Sequence, residues 1–496
     1  MKFVVPWTGK RNLRISQSEA VGTSSGVVGI GVVGIMIVGL AVSSSEKDER
    51  WINCWLTDSG GRTYAIKRPG RAALNTPSAG NIGSAITIWT GSGSGTDVIT
   101  AFGATNSTVY NGTSSLGAIT GKARSITETF VSTTPTLLVP SSDSTAWYYD
   151  TGAGVMTKIV DAQFPGNAAY TTAGDFAVID GFSCIMTTDG KLWASDLNSV
   201  TAWTANSYGS DNSYPDLHVG CIRFKNMIMT FGKESIEFWQ NAGLTPFPLA
   251  RIQNMTVKVG AISSDAIATL SDNVFWCGST DKGGLSIFQY DGTISRISTP
   301  SEDSQLNLVG PSNISLTTER YYGRSFVLVK ANATTFVYCI EDKRWREDST
   351  TTPLWYKSAG LSAGTQMLTY SISNVSTSGK VYVVNPANLV FTDDTVAFTA
   401  TMQSANDDQD SPYRKDWTYL GIMADIEPNA SALNVYYSDD DYVTWTTAGA
   451  LDLNVGKQYL TALGSSDRQR AWKLTHSANT AFRISRLLGE VNVGTT

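Results

Sequence analysis

The chain has 496 residues, of which 16% are charged, and its 37 Lys and Arg residues are slightly outnumbered by 43 Asp and Glu residues. This mildly acidic balance argues against a protein whose whole surface binds nucleic acid. The length exceeds what one compact core usually serves, so several domains or a radial repeat are expected. Because the chain has 45 glycines, with Ser and Thr crowding the segments between apolar runs, the composition predicts an all-β protein.

Charge is distributed unevenly along the chain. Residues 1–71 contain ten Lys or Arg and five acids, residues 391–452 contain two bases and twelve acids, and residues 453–496 contain six bases and two acids. Solvated faces of unrelated strands would account for this pattern. The functional alternative is that both positive chain ends contact a partner.

An uncharged apolar segment extends from Gly26 to Val42. Upstream basic residues and a small-residue exit at Ala41 are typical of a secretory signal peptide, although five glycines are unusual in one. As a membrane helix, its 17 residues are slightly short. The stretch 29–34, Gly-Ile-Gly-Val-Val-Gly, imitates a dinucleotide-binding loop, but the alternating helices and strands of that fold do not follow it.

A fourth interpretation of this segment is an apolar β hairpin or extended segment that is buried against neighbouring subunits. Its nine Val and Ile residues and its glycines suit that structure. An exposed strand with two apolar faces would invite aggregation, so this interpretation predicts an oligomer. We favour this interpretation. Contact of the segment with a membrane at a later stage is a further alternative.

Aromatic residues recur every 39 to 51 residues, each beside an apolar run and a turn. These markers are Tyr110, Tyr149, Trp193, Trp239, Tyr290, Tyr338 and Tyr382. The period is that of a four-stranded propeller blade. We therefore predict an all-β fold with a β-propeller of about six blades. The two outermost markers are expected where the propeller gives way to another domain.

The chain has little catalytic equipment. Its five cysteines are widely spaced, as expected of buried thiols in a protein that folds in a reducing compartment. Neither His218 nor His476 has a nearby second nitrogen or sulfur ligand at the spacing of a metal site. His218 and Cys221 could in principle form a base and a nucleophile, but the apolar strand around Cys221 favours a buried structural role. We predict no catalytic, cofactor-binding or metal-binding residues and no enzyme activity.

Two groups of carboxylates stand out, Asp407, Asp408 and Asp410, and Asp439, Asp440 and Asp441. Paired acids can hydrolyse a glycosidic bond, and oxygen-rich loops can hold calcium. The second group has a more specific interpretation, because residues 438–445, Ser-Asp-Asp-Asp-Tyr-Val-Thr-Trp, resemble the Asp-box with Tyr442 in place of its usual glycine. The resemblance implies a β-hairpin brace remote from any catalytic centre.

Three further stretches resemble the tail hub, or nozzle, family of short-tailed bacteriophages, also called packaged-DNA stabilisation proteins. Near the start these are residues 37–39, residues 48–55 (Asp-Glu-Arg-Trp-Ile-Asn-Cys-Trp) and residues 67–70 (Lys-Arg-Pro-Gly). In the middle, residues 231–243 are similar to the central strand of the family. The layout of residues 436–493, with Arg-Ala-Trp-Lys-Leu at 470–474, is similar to its final β region. Residues 1–35 have no matching counterpart.

This resemblance implies a homohexameric ring in which each subunit carries a propeller and a smaller platform made from both chain ends. Such a ring continues the portal and adaptor channel, retains packaged double-stranded DNA, and supports fibres, spikes or a plug. The implied location is the virion tail, after assembly in the host cytoplasm. The resemblance assigns neither a cofactor nor DNA-binding residues, and the acidic balance suits a conduit, since tightly bound phosphates would hold DNA against ejection.

The predicted organisation is an N-terminal oligomerisation and platform segment at 1–74, a propeller at 75–390 and a C-terminal β platform domain at 391–496. The chief alternative function is a secreted glycan-binding propeller or glycoside hydrolase. That alternative predicts a cluster of Arg and acids at the propeller axis and a mature chain that starts near Ser43 or Ser44. A structural surface adhesin is a third possibility, and it predicts monomers or filaments in place of closed rings.

Overall fold

The structure is a computed structural model that describes residues 2–5, 49–89, 97–103, 107–211, 214, 216–279, 283–332, 334–349, 355–363, 366–373 and 377–494. The chain divides into two compact units. The platform unit comprises Met1–Gly70, Val337–Ser349 and Leu389–Thr496, and the propeller unit comprises Arg71–Phe336 and Thr350–Asn388. The apolar segment at 26–42 lies outside the described residues.

The propeller unit contains, within the described residues, six antiparallel sheets of four strands. The first five are blades 1 to 5, and each is built from strands consecutive in the chain. Blade 1 is Gly83–Trp89, Asp97–Phe102, Thr108–Asn111 and Ser114–Ala118; blade 2 is Thr127–Val131, Thr134–Pro140, Ala146–Asp150 and Met156–Lys158; blade 3 is Thr172–Ile179, Phe182–Thr187, Lys191–Ala194 and Tyr208–Ser210; blade 4 is His218–Phe224, Met227–Gly232, Ile236–Asn241 and Leu249–Arg251; blade 5 is Ile267–Leu270, Asn273–Ser279, Leu285–Tyr290 and Ile294–Arg296.

The sixth sheet joins the two ends of the propeller unit and is named the closing blade. Its strands are Trp355–Ala363, Gln366–Ser373 and Val381–Val384, followed by Ala72–Asn75 from the start of the unit. Tyr382 pairs with Ala73 in this antiparallel register. Pairing of the first strand with the last closes the circle, so that the sheet leaves no open edge between them.

Between blade 5 and the closing blade, the chain forms a capped helix and two long strands. The α-helix Pro300–Leu308 begins at a capping box in which Thr299 and Glu302 satisfy each other's backbone donors. The strands Ile314–Tyr321 and Arg324–Ala331 pair along their full length. The next strand, Thr334–Cys339, contains the boundary between the two units at Phe336. Short 3-10 helices span Ser264–Ala266 and Pro311–Asn313.

The aromatic markers of the propeller unit occupy equivalent positions. All six of them lie on the third strand of their four-stranded sheet, Tyr110 and Tyr382 included. These two outermost markers lie on blade 1 and on the closing blade, and the propeller unit ends at Asn388, shortly after Tyr382. Tyr338 is the marker that falls in the platform unit, on the strand Thr334–Cys339.

The first strands of the sheets are the innermost ones, because they lie against one another. This holds for blades 3 and 4, for the closing blade and blade 1, and for Ile314–Tyr321 beside the closing blade. Bulges interrupt these strands near their starts, at Ala173 and Ala177 in blade 3 and between His218 and Gly220 in blade 4. A Cβ on Gly174 would stand 2.5 Å from the Cα of Gly220, so two glycines allow this close approach.

The platform unit is formed by two sheets in which most strands pair antiparallel. One contains, in order, Cys54–Ser59, Arg62–Lys67, Arg483–Val493, Lys415–Ala424 and Tyr459–Thr461, with Lys2–Val5 on Arg483–Val493 and Ser465–Ser466 on Lys415–Ala424. The strands of the other sheet that lie wholly within the platform unit are, in order, Arg344–Asp348, Arg50–Ile52, Ala400–Gln403, Ala471–His476, Ala432–Ser438 and Thr446–Asp452. A short hairpin joins Thr392–Asp393 and Val396–Ala397.

A single apolar cluster lies between the two platform sheets. Trp472 and Leu474 from one sheet pack with Trp417, Leu420 and Leu487 from the other, and all are at most 3% exposed. This face-to-face packing of inner faces is that of a β-sandwich. The predicted fold class, a β-propeller with a smaller β domain built from the chain ends, is confirmed. Among the described residues, no helix is long and apolar enough to cross a membrane.

Candidate functional site

His218 belongs to a buried structural network within blade 4. Its Nε2 lies 3.0 Å from Oδ2 of Asp211, and both side chains are 1% exposed. Thr230 donates its hydroxyl to the same carboxylate at 2.7 Å and accepts from the indole N–H of Trp239 at 3.3 Å. Burial opposes protonation of His218, but pairing with Asp211 and the charges of Asp216 and Glu237 outweigh it and raise its pKa.

The structure does not bring Cys221 to His218 as a nucleophile. The thiol of Cys221 points at the carbonyl oxygen of Asp175, 3.6 Å away, and packs in the core between blades 3 and 4. Burial raises its pKa to about 12, which leaves no thiolate at neutral pH. All five cysteines are buried and free, as the sequence interpretation of structural thiols requires.

The carboxylates at 439–441 make two separate sets of contacts in the platform unit. Asp440 accepts hydrogen bonds from Ser438 at 2.8 Å and from both donors of Thr444, at 2.9 and 2.5 Å, and these bonds lower its pKa to about 2. Tyr442 stands at the usual glycine position with a left-handed φ of +67°. The turn links two paired strands, Ala432–Ser438 and Thr446–Asp452. These contacts make it a brace.

Asp439 differs from Asp440 in its contacts, because it binds a buried arginine. Its two carboxylate oxygens accept from Nε and Nη2 of Arg470 at 2.6 and 2.7 Å. The Arg470 guanidinium is fully buried, 4.0 Å from the ring centre of Tyr437, and also donates to the carbonyl oxygen of Leu463. In the first group, burial raises the pKa of Asp407, which accepts from the backbone N–H of Gln409.

Two of the family-like stretches meet inside the platform unit. Arg68 donates from Nε to the side-chain oxygen of Asn53 at 2.8 Å and pairs with Asp393 at 2.5 and 3.1 Å. Asn53 in turn donates to the carbonyl oxygens of Ser349 and Thr399. A Cβ on Gly70 would lie 2.1 Å from the carbonyl oxygen of Thr392, so glycine is required in this turn. These contacts tie the chain ends together.

His476 is held neutral beside a buried lysine. Nζ of Lys67 lies 3.3 Å from its Nδ1, and its Nε2 lies 2.7 Å from the hydroxyl of Ser431. Burial, reinforced by the charge of Lys67, lowers the pKa of His476 to about 3. Because Nδ1 accepts from the ammonium group, Nε2 carries the proton and donates to Ser431. The histidine is therefore structural.

Charged side chains from five parts of the propeller unit converge where its innermost strands begin. This inner-strand charge cluster consists of Lys122 and Arg124 before blade 2, Asp175 in blade 3, Asp265 before blade 5, Lys330 opposite Ser315, and Lys357 in the closing blade. The 3-10 turn that carries Asp265 contacts the first strand of blade 3 and the strand Ile314–Tyr321. Since those strands belong to non-adjacent parts of the circle, this turn lies across the axis.

Direct contacts tie part of the cluster together. Nζ of Lys357 lies 3.0 Å from Oδ1 of Asp265 and donates to the carbonyl oxygen of Arg124 at 3.4 Å. Arg124 donates to the hydroxyl of Thr172 at 3.2 Å. Burial raises the pKa of Asp175, and burial together with the charge of Lys122 lowers the pKa of Lys330. The cluster is thus rich in positive charge that is partly removed from water.

Sequence reasoning did not find this cluster. One sequence feature accompanies the cluster. A charged residue stands at the start of an innermost strand, or just before it, and the strand is otherwise apolar or rich in Ser and Thr. From sequence alone, such charges are interpreted as solvated ends of strands, because the arrangement of the strands around the propeller axis is not known. Among the described residues, no group of three or more His, Cys, Asp or Glu side chains is placed to hold a metal ion.

A family model described as bacteriophage P22 Gp10, beta-propeller, matches residues 102–385. The chain belongs to this family. It is therefore a structural tail protein of a bacteriophage and a component of the virion. The match begins at the second strand of blade 1 and ends one residue after the closing-blade strand Val381–Val384. The predicted membership of the packaged-DNA stabilisation family is confirmed.

The chain is similar to several solved structures. BBS1N in complex with ARL6DN is 13% identical with a TM-score of 0.43, over 64% of this chain and 96% of that chain. The WD40 β-propeller domain of Doa1 is 10% identical with a TM-score of 0.40, again over 64% and 96%. Raptor of Chaetomium thermophilum is 11% identical with a TM-score of 0.41, over 68% of this chain and 29% of that chain. No curated protein matches the sequence.

Proposed function

We propose that the protein is the tail nozzle, or hub, of a short-tailed phage, which assembles as a homohexamer in the host cytoplasm. The ring extends the portal and adaptor channel, retains packaged DNA and conducts it during ejection. The observation that carries this proposal is the family match across residues 102–385. The work of such a ring is geometric and electrostatic, and we assign it no enzymatic step.

The two units suggest a division of labour within each subunit. The platform unit gathers both chain ends, which carry the excess of positive charge noted above, and we assign it the contacts with the head–tail adaptor and with neighbouring subunits. We assign the propeller unit to the support of fibres, spikes or a plug. Double-stranded DNA is a transient occupant of the lumen, and the acidic balance of the chain disfavours its tight retention.

Deletion of residues 1–45 tests this assignment. The deletion removes the strand Lys2–Val5, which pairs with residues 487–490 of the last strand, and the apolar segment at 26–42. We expect the truncated protein to lose ring formation or docking onto filled capsids, whereas hydrogen exchange in the propeller unit stays as in the full chain. Deletion of residues 1–5 alone is the matched control, since it spares the apolar segment.

Negative-stain images of the full-length protein provide the direct readout. Six-fold rings or tubes that disappear in the 1–45 deletion support the nozzle. Rings that persist in the deletion and dock on filled capsids contradict the role of the N-terminal segment. Monomers or filaments of the full-length protein contradict the nozzle itself.

The inner-strand charge cluster favours a second candidate function, a glycan-binding protein or glycoside hydrolase. Arg124, Asp175 and Asp265 lie together near the propeller axis, which is the arrangement that this alternative predicts. Burial raises the pKa of Asp175, as a general acid needs. Hydrolysis of chromogenic glycosides that is lost in Asp175→Asn would support this function. Intact-mass measurement of the natural protein adds a second test, because a first residue at Met1 or Lys2 excludes secretion by cleavage near Ser43.

A further inference from the structure

The last strand of the platform unit, Arg483–Val493, has one edge that two shorter strands share. Its other edge pairs along nearly its whole length with Lys415–Ala424. On the shared edge, Lys2–Val5 pairs with residues 487–490, next to a strand that pairs only with residues 483–484. Among the described strands, Lys2–Val5 alone covers the backbone groups of 487–490 on this side. We call residues 487–490 the acceptor edge.

The acceptor edge belongs to the core of the platform unit. Leu487 at its start and Val491 just beyond it are both 0% exposed and pack in the apolar cluster between the two platform sheets. Lys2–Val5 pairs with it in an unbroken antiparallel register, in which Val4 stands opposite Leu488. An uncovered edge in such a strand is a template for another strand. The acceptor edge therefore requires backbone pairing, which any copy of Lys2–Val5 can supply.

The chain between Lys2–Val5 and the next described strand is much longer than pairing within one subunit requires. Lys2–Val5 lies on one platform sheet and Arg50–Ile52 on the other. Sheets packed face to face are about 10 Å apart, and an extended chain covers roughly 3.3 Å per residue, so about ten residues could join the two strands. The sequence places residues 6–48 between them. A linker of that length can span more than about 100 Å, which is enough to reach an adjacent subunit.

We propose that Lys2–Val5 of each subunit pairs with the acceptor edge of the neighbouring subunit, so that exchanged strands link adjacent subunits of the ring. The partner is a second copy of this chain, and the inference rests on the homohexamer proposed above. Exchange between copies uses the same register as pairing within one chain, which makes it a low-cost route to an oligomer. Each subunit donates one strand and accepts one, and such a heterologous contact closes into a ring. The linker includes the apolar segment at 26–42, whose burial against a neighbouring subunit is expected from its sequence.

Two single-cysteine variants produced together test the exchange. Val4→Cys in one copy and Leu488→Cys in another place thiols at opposite positions of the register only if the strand crosses between copies. Opposite residues of antiparallel strands have Cβ atoms about 4.5–5.5 Å apart, close to the separation in a disulfide. The five native cysteines are buried and free, so mild oxidation acts on the new thiols. We expect a covalent dimer on non-reducing gels that disappears on reduction.

Val4→Cys together with Asn492→Cys is the matched control. Asn492 is exposed on the same strand, but it lies about 13 Å farther along it than Leu488, the register partner of Val4. We expect no covalent dimer from this pair. Equal amounts of dimer from the two pairs would mean that the thiols meet by random collision, which overturns the exchange.

A chain that carries both Val4→Cys and Leu488→Cys distinguishes exchange from pairing within one subunit. Oxidation should convert its rings into a ladder of covalent species up to the hexamer. Six-fold rings whose chains stay monomeric after oxidation overturn the exchange and leave the nozzle proposal intact. Absence of rings from the unmodified protein overturns the nozzle proposal itself. Lys2→Cys with Glu490→Cys, the adjacent facing pair on the same side of the register, repeats the test if the first pair prevents ring formation under reducing conditions.

Discussion

The two units of this protein are stabilised by different means, although both are built from β-strands. In the propeller unit, most strands pair with their neighbours in the chain, and the core of each blade repeats the same aromatic position. In the platform unit, three distant segments share two sheets, and buried ion pairs connect them. Local pairing leaves a periodic signal in the sequence, whereas long-range pairing leaves isolated charged residues.

Arg68 and Arg71, three residues apart in the chain, offer the sharpest test of this difference. Arg68 pairs with Asp393 in the platform unit, and Arg71 pairs with Glu319 in the propeller unit with two contacts of 2.6 Å. Removal of one partner leaves a buried charge uncompensated, so we expect Arg68→Met and Arg71→Met each to cost about 3–5 kcal/mol of unfolding free energy in its own unit.

Hydrogen exchange resolved by peptide separates the two effects. Arg68→Met should accelerate exchange in residues 400–403 and 471–476, and Arg71→Met should do so in residues 314–321 and 381–384. The double replacements Arg68→Met with Asp393→Leu, and Arg71→Met with Glu319→Leu, are the controls, because each removes both members of its ion pair. Equal acceleration of both units by either single variant would contradict the division into two independently stabilised units.

The repeat made the propeller predictable from sequence. Markers such as Trp193 and Trp239 stand on the third strand of each blade, where an apolar run, a turn and a second run follow locally. The closing strand Ala72–Asn75 was not predictable, because its partner lies about 300 residues away and its own four residues carry no hairpin signal. Tyr338 illustrates the same limit of sequence-based prediction. Its spacing assigns it to the series of aromatic markers, but the spacing does not show whether it lies in the propeller unit or in the platform unit.

The functional residues were less predictable than the fold. His218 and Cys221 are close in sequence, yet their side chains engage Asp211 and the carbonyl oxygen of Asp175, partners that the spacing does not reveal. The inner-strand charge cluster depends on the order of strands around the axis. Periodicity gives the number of repeats, but it does not show which loop lies at the axis. The ion pair between Asp265 and Lys357 could therefore not be predicted from the sequence.

The carboxylates at 439–441 provide a smaller test within the platform unit. Asp439→Asn removes one charged acceptor from the fully buried Arg470, so we expect a loss of about 2 kcal/mol, the scale of a hydrogen bond to a charged group. Asp440→Asn is the control, because Asp440 is exposed and braces only its own turn, and its effect should be smaller. Urea unfolding measures both, and equal losses would show that Arg470 does not need a charged partner.

The two histidines predict opposite pH dependences for the two units. The folded pKa of His476 is about 3, below its ordinary value, so the unfolded chain binds the extra proton and acidification destabilises the platform unit. From pH 7.5 to 5.5 the loss should be about tenfold in the unfolding equilibrium constant. The folded pKa of His218 is raised, so its contribution is full below the ordinary value and is lost as pH rises through the folded pKa.

Hydrogen exchange at pH 7.5 and 5.5 checks this contrast after correction for intrinsic exchange rates. His476→Gln should flatten the acid dependence of the platform unit, and Thr230→Val, which removes a bond to Asp211 but keeps His218, should leave the platform unchanged. An acid dependence of the platform unit that survives in His476→Gln would assign the titration to another group.

The smallest expected effect concerns an ion pair near the surface of the platform unit. Arg50 pairs with Glu347 at 3.1 and 2.6 Å, a geometry as good as that of Arg68 with Asp393, but its side chain is 29% exposed whereas that of Arg68 is 1% exposed. Water therefore compensates both charges when the pair is broken, and Arg50→Gln should cost less than about 1 kcal/mol. A cost equal to that of Arg68→Met in urea unfolding would mean that pairing geometry, and not burial, sets the stability of this unit.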